Sequence, residues 1–366
     1  MSEPSAAVRA QAHLHHAWFL GLQLMVSARK GPGVIGEWMF RLFRRQHEAR
    51  FLDGLDKLGL TGLPHAVACA QYHVLSNSVG GVGVEYLPES DRKAWVRFRY
   101  PRWMYAGPTL CGLPVEVSRG FLRGWYAHNG VSLGNPRLGF VCVSEDLLSE
   151  AADSEYGDVE DSAFGLCGYF HEGDRELAED ERLRFAPDER PPDFSLHPQP
   201  ELPSASWPEE RLHKAKLNYA LDYLRNGIGE LAGVLGKSAA RQLARQSARL
   251  IGLQYQSETA AMIGAPDGDL EQAAAYLEAM FGGMGDVVER LPSDDADAAG
   301  GSIRLRHTGL RIVRGLEGAE RELLLECWCE LWRGAMAAQR ERKRLEWQAV
   351  VDELQWNLST AEARGR

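Results

Sequence analysis

Apolar residues recur every three to four positions over 6–28 and again over 35–58, the spacing of amphipathic helices. In the second stretch Ile35, Trp38, Met39, Leu42, Phe43, Ala49, Leu52 and Leu55 form the apolar stripe, with Arg41, Arg44, Arg45 and Arg50 on the other face. The pattern then shortens. Residues 65–75, 83–87 and 93–100 read as strands, the last setting Ala94, Val96 and Phe98 against Lys93, Trp95 and Arg97. A helix over about 115–128 follows, then strands at 138–143 and 165–170 on either side of an acidic insertion, 145–161.

Seven prolines from Pro187 to Pro208 interrupt any regular hydrogen-bonded element. The stretch 187–208 is therefore expected to link an N-terminal domain, 1–186, that carries the pocket to a mainly helical C-terminal one, 209–366. Beyond it, helices are expected over 207–224, 239–262, 270–291 and 319–339, and strands over 302–313 and 345–358. Residues 293–301 carry too little apolar surface to pack and read as a loop. Each half thus runs helices, strands, one helix and closing strands. That order predicts an α+β fold of two related helix-plus-sheet subdomains joined by a Pro-rich linker, the plan of a tandem duplication.

The length of 366 residues suits two cores better than one, and 45% hydrophobic against 25% charged residues is a globular composition. The net charge of -10 is local: residues 142–193 hold 17 Asp or Glu against four Arg, which leaves the rest mildly basic. No basic stripe stands out, so no nucleic-acid partner is expected. No run of 18 apolar residues and no charged-then-apolar N-terminal leader occurs, so the expectation is a cytoplasmic protein without a membrane partner. The six cysteines are scattered, which argues for thiols rather than a disulfide framework.

Several motifs have simpler structural accounts. Gly31-Pro-Gly33-Val-Ile-Gly36, with Asp53 beyond it, matches a dinucleotide fingerprint, but the residues ahead of it look helical and a Gly/Pro turn between helices fits better. Gly130-Val-Ser132-Leu-Gly134 matches a nucleophile elbow with helix and strand in reverse order, and a helix C-terminal turn accounts for it. His13 and His16 share a helical face but lack a third metal ligand. Cys327 and Cys329 point in different directions on a helix, and one of them should be core. The basic helix at 35–58 could lie on an anionic membrane, though its stripe is long enough to be buried on a sheet.

The densest chemistry lies between Tyr72 and Asp174. A loop over 76–81 offers Asn77, Glu85 and Arg97 sit on neighbouring strands, and Trp103, Trp125, His128 and Asn129 follow. Arg137, Tyr169 and Glu172 complete the set. His73, His128 and Glu85 are the acid/base candidates; Asn77, Arg97, Trp103, Trp125, Asn129, Arg137, Tyr169 and Glu172 would hold a substrate. The alternative is structural: Glu85 with Arg97 as a cross-strand ion pair and the tryptophans as core.

Phe121-Leu-Arg-Gly124 ahead of 138–143, Cys167-Gly-Tyr169-Phe170, and 239–253 leading to Leu331-Trp-Arg-Gly334 resemble a known group. It contains the 4-vinyl reductase-type small-molecule-binding domains and the L-2-aminothiazoline-4-carboxylate hydrolase-like proteins. The resemblance implies an enzyme hydrolysing a C–N or related bond in a small carboxylated or aromatic molecule, or else a non-catalytic binding or sensor protein. No cofactor is expected, with a metal ion left open. The expected partner is a small-molecule substrate, and exposed sheet edges make a homodimer an expectation as well.

Overall fold

The computed structural model describes residues 5–99, 112–145, 164–194, 197–202, 207–265, 267–292, 301–338 and 343–360. The chain divides into two compact units, Val26–Leu212 and Met1–Met25 with His213–Arg366. They are called here the first and second subdomains. The boundary differs from the expected one at the N-terminus, because residues 6–25 of helix α1 (Ala6–Lys30) bury Leu14, His15, Trp18 and Leu22 within the second subdomain. There the Trp18 indole donates to Ser247 Oγ at 3.2 Å, and the Trp328 indole donates to His15 Nε2 at 3.0 Å.

The first subdomain contains α2 (Pro32–Lys57), α3 (His65–Val79), β1 (Val84–Ser90), β2 (Lys93–Arg99) and α4 (Glu116–Gly124). A 3₁₀ turn (Tyr126–His128) then runs into the short α5 (Asn129–Ser132), followed by β3 (Leu138–Ser144), β4 (Phe164–Glu172) and β5 (Leu183–Phe185). Its sheet runs β1-β2-β4-β3-β5, antiparallel except that β5 lies parallel to β3. The second subdomain adds α6 (Glu209–Leu235), α7 (Lys237–Met262), α8 (Leu270–Gly283), β6 (Val287–Leu291), β7 (Ser302–Thr308), α9 (Gly318–Ala338), β8 (Lys343–Val350) and β9 (Glu353–Thr360). Its sheet runs β6-β7-β9-β8, all antiparallel. The two sheets share one plan, in which the first hairpin leads through a helix to a second hairpin whose last strand returns beside the first hairpin. The fold is α+β with two related subdomains.

Several expectations need correction. Residues 65–75 are helical, within α3: Ala66, Val67, Ala68, Cys69, Ala70, Tyr72 and His73 are all buried, so no polar face marks the period, and the alanines favour a helix. The helix expected over 270–291 stops at Gly283, where Gly285 takes φ 78° and turns the chain into β6. The strand expected over 302–313 ends at Thr308 and is followed by a 3₁₀ turn, Arg311–Val313. The proline-rich stretch is extended but does not hang free. Phe194, only 2% exposed, seats against Trp95, Val141, Val143, Cys167 and Tyr169 on the sheet, and the Gln199 amide closes both hydrogen bonds to the Tyr86 peptide of edge strand β1. Of the insertion 145–161, only Glu145 lies within the described residues; its carboxylate accepts two bonds from Arg119 at 2.8 and 2.9 Å.

The repeated Arg-Gly step has a packing role in both subdomains. A Cβ on Gly124 would lie 2.6 Å from the Phe40 carbonyl oxygen of α2, and one on Gly334 would lie 2.1 Å from the Arg249 carbonyl oxygen of α7. Only hydrogen at these positions lets each helix backbone approach its neighbour so closely. Both flanking turns at Gly31 and Gly134 have positive φ, as the turn readings of their motifs require. Cys327 and Cys329 are both core, and none of the five described cysteines is in a disulfide. Among the described residues no helix is long and apolar enough to cross a membrane.

Gly334→Ala is expected to destabilise the chain by about 1–3 kcal/mol through overpacking against backbone that cannot yield. Urea unfolding of the variant checks this, and an unchanged midpoint would contradict the packing account.

Candidate functional site

Strand pleating sorts the candidate residues of the first subdomain onto different surfaces. Ala94, Val96 and Phe98 of β2, Phe140 of β3 and Phe170 of β4 point to one face, where the His73 ring stacks on Phe170 with centroids 5.6 Å apart. Glu85, Trp95, Arg97 and Tyr169 occupy the other. Glu85 accepts from Arg97 at 2.6 Å and from Arg99 at 2.8 Å, the cross-strand ion pair. Trp95 and Tyr169 stack at 4.6 Å, Tyr169 donates to Glu189 at 2.8 Å, and the Arg97 guanidinium lies 4.4 Å from the centre of Phe194. Burial, with Glu189 as acceptor, pushes the Tyr169 phenol up to about 12.

A third group forms at the strand ends. Glu172 accepts from Arg137 at 2.7 Å and from Asn135 at 2.9 Å, and the same Asn135 nitrogen lies 3.0 Å from His65 Nδ1. This clasp ties the start of α3 to β3 and β4. Asn77 is helical rather than in a loop, and its amide donates to the His73 carbonyl at 2.7 Å, one turn back in α3. Trp103 lies outside the described residues.

His73, His128, Trp125 and Asn129 do come together, on the helix-covered face. Helix α3 supplies Cys69, Tyr72 and His73, with Cys69 and His73 one turn apart. The turn after α4 supplies Trp125 and Tyr126, and His73 lies 3.9 Å from the Tyr126 ring and 6.2 Å from that of Trp125. Asn129 Nδ2 sits 3.4 Å from His73 Nε2, at the outer limit of a hydrogen bond.

Two further members, His47 and Ser132, lie in segments whose sequence pattern suggests other roles. His47, only 1% exposed, continues the i, i+4 row Ile35, Met39, Phe43, His47, Phe51, Leu55 of α2, all of them buried. That row is visible in the sequence, but the arginines around His47 make the position look solvated. Its ring stacks on Phe51 at 4.5 Å and meets Trp125 at 5.5 Å and His128 at 5.2 Å edge-on. Its Nε2 lies 2.9 Å from Oγ of partly exposed Ser132, the serine of the reversed elbow motif.

The electrostatics of this cluster are uniform. Burial holds His47 down at about 3 and His73 well below 6.5, and burial with the Arg44 charge lowers His128. The imidazoles are therefore neutral, acting as hydrogen-bonding groups rather than as cations. Arg44 does not offer its charge inward, since it donates to the Gly124 and Arg123 carbonyls at the end of α4. The buried polar atoms of the cluster that lack a hydrogen-bond partner include His47 Nδ1, Trp125 Nε1 and Asn129 Oδ1. An unsatisfied buried group costs about 1–3 kcal/mol, so these atoms weigh against stability. Among the described residues no group of three or more His, Cys, Asp or Glu could hold a metal ion.

Because folding lowers the His47 pKa, the unfolded chain binds more protons than the folded one between about pH 3 and 6.5. The stability this group contributes is complete above that window and falls, by up to about 1.4 kcal/mol per pH unit, as pH drops through it. His47→Gln is expected to flatten the decline of unfolding free energy between pH 7 and pH 4. Equal slopes for variant and parent in urea titrations would show that His47 is not held neutral.

Compared with protein-family models, curated proteins and solved structures, the chain matches none of them.

Proposed function

We propose that this protein binds a small, uncharged aromatic molecule on the helix-covered face of its first sheet, and that it does so without chemistry. The observation that carries this reading is the trio of unpartnered atoms within an aromatic cluster. An indole N–H, an amide oxygen and an imidazole nitrogen offer one donor, one acceptor and one group able to serve as either. Tyr72, Phe51, Trp125 and Phe170 supply flat apolar walls around them. A carboxylate finds no such welcome, because a desolvated anion needs a cation and Arg44 is committed to backbone carbonyls. The aromatic half of the expected substrate class is thus favoured over the carboxylated half. The resemblance to the 4-vinyl reductase-type small-molecule-binding domains, carried by Phe121–Gly124 and Cys167–Phe170, supports the same reading.

Hydrolysis is the second reading, and one contact favours it: Ser132 Oγ within 2.9 Å of His47 Nε2. A base held at about 3 is poorly matched to neutral pH, which is why binding is preferred. Hydrolysis at this pair requires that a fluorophosphonate label Ser132 and that Ser132→Ala abolish the label.

For binding, phenol is expected to raise the melting temperature of the full chain and benzoate to leave it unchanged. Trp125→Phe keeps an aromatic ring but removes the donor, so phenol affinity should fall about tenfold while benzene affinity stays level. Stabilisation by benzoate equal to that by phenol would contradict the reading.

A further inference from the structure

Helix α7 of the second subdomain shows one side to the surface, and that side carries no charge along its whole length. Ala239, Gln242, Gln246, Leu250, Leu253, Ser257 and Ala261 recur three or four positions apart and so form a single stripe. All but the half-buried Ala239 are exposed, Leu250 at 50% and Leu253 at 48%. A lone exposed leucine needs no explanation, but two side by side at the centre of an uncharged stripe mark a contact surface. The charges that border the stripe are met within the chain. Arg241, Arg245 and Arg249 pair with Glu326 and Glu330 of α9, and Glu258 lies 3.0 Å from His13 Nε2.

The stripe is its own mirror in spacing. Outward from its midpoint, between Ile251 and Gly252, Leu250 matches Leu253, Gln246 matches Ser257, Gln242 matches Ala261 and Ala239 matches Gly264. A two-fold axis through this midpoint sets a second α7 antiparallel to the first with every residue opposite its counterpart, the isologous contact of a C2 dimer. Two features at the stripe's ends fit that occupant. A hollow of about 390 Å³, walled by Gln256, Ser257, Ala260, Ala261, Ala265 and Asp267, lies where Gln242 of the second copy arrives. The α7 N-terminus, at Gly236, has no side-chain cap, and the same register lays Asp267 of the second copy beside it, a carboxylate at the positive end of the helix. We propose that the chain forms an antiparallel homodimer through α7. The expected homodimer thus uses a helix face rather than a sheet edge, and it is independent of the aromatic site in the first subdomain. A stripe about 39 Å long and one helix wide covers less than the roughly 800 Å² a side of a standard interface, so the dimer dissociates in the micromolar range.

Sedimentation velocity of the full chain from about 1 to about 100 µM tests this, with a monomer–dimer equilibrium as the expected result. Leu250→Glu and Leu253→Lys should each weaken the dimer at least about tenfold while keeping the parent's circular dichroism, since both side chains are half exposed. The double variant should regain dimerisation, because the antiparallel register sets a carboxylate opposite an ammonium twice over, whereas a parallel pairing would oppose like charges. The proposal is overturned if the parent stays monomeric to about 100 µM, if the single variants dimerise as the parent does, or if the double variant does not recover.

Discussion

A strand sends successive side chains to opposite faces of its sheet, and that alternation divides the chemistry of both subdomains. In the first, the period of two puts Phe170 and Ala94 under the helices and Tyr169, Trp95 and Arg97 on the far side. Residues that are neighbours in sequence therefore belong to different environments. His73 and Tyr169 cannot share a ligand, although 164–172 is a single strand that touches both surroundings. In the second subdomain the same rule separates the buried row containing Leu305 and Trp356 from the polar rows with Arg304, Asn357 and Gln355.

What each face then does depends on how it is covered. The far face of the first sheet is closed by the proline-rich segment, with Phe194 filling the apolar depression and Gln199 completing the edge of β1. Its helix face is closed by α3 and the turn after α4, with α2 packed on α4, and there the chain has buried imidazoles and an amide among aromatic rings. The low interior polarity that keeps those imidazoles neutral also makes each open donor or acceptor expensive. A structure built only for stability would place Leu or Phe at His47 and Asn129. Keeping polar groups in this layer leaves donors and acceptors that the chain itself does not satisfy. In the second subdomain one buried set is satisfied internally: the Trp356 indole donates to His307 Nδ1, and His307 Nε2 meets Asp286 at 3.0 Å.

Much of this is legible from residue order. Amphipathic spacing locates α1, α2, α7 and α9, alternation locates β2, and the Arg-Gly step in both halves marks the helix that joins the hairpins. Helix α3 escapes such reading because a segment buried on nearly all sides loses the polar face that reveals its period. The candidate site is half visible. His73, His128, Trp125 and Asn129 stand out from the sequence, and the i, i+4 row through Phe43, His47 and Phe51 could have added His47. Nothing local to the sequence ties Asn129 or Ser132 to α2 or α3, since those contacts span 56 to 85 residues. Glu85, Arg97, Arg137 and Glu172 look like a binding set and are paired with one another, because opposite charges on adjacent strands or strand ends neutralise themselves locally.

Binding on the helix-covered face of the first sheet requires a ligand seated between His47, Trp125 and Asn129. A crystal of the full chain soaked in 4-bromophenol puts that placement to the test, because the anomalous signal of bromine locates the ring without interpretation. A single strong peak beside Trp125 is expected, with the phenol oxygen within hydrogen-bonding distance of the indole nitrogen or the Asn129 amide. A peak beneath Phe194 on the opposite face, or no ordered bromine in the first subdomain, would refute the reading.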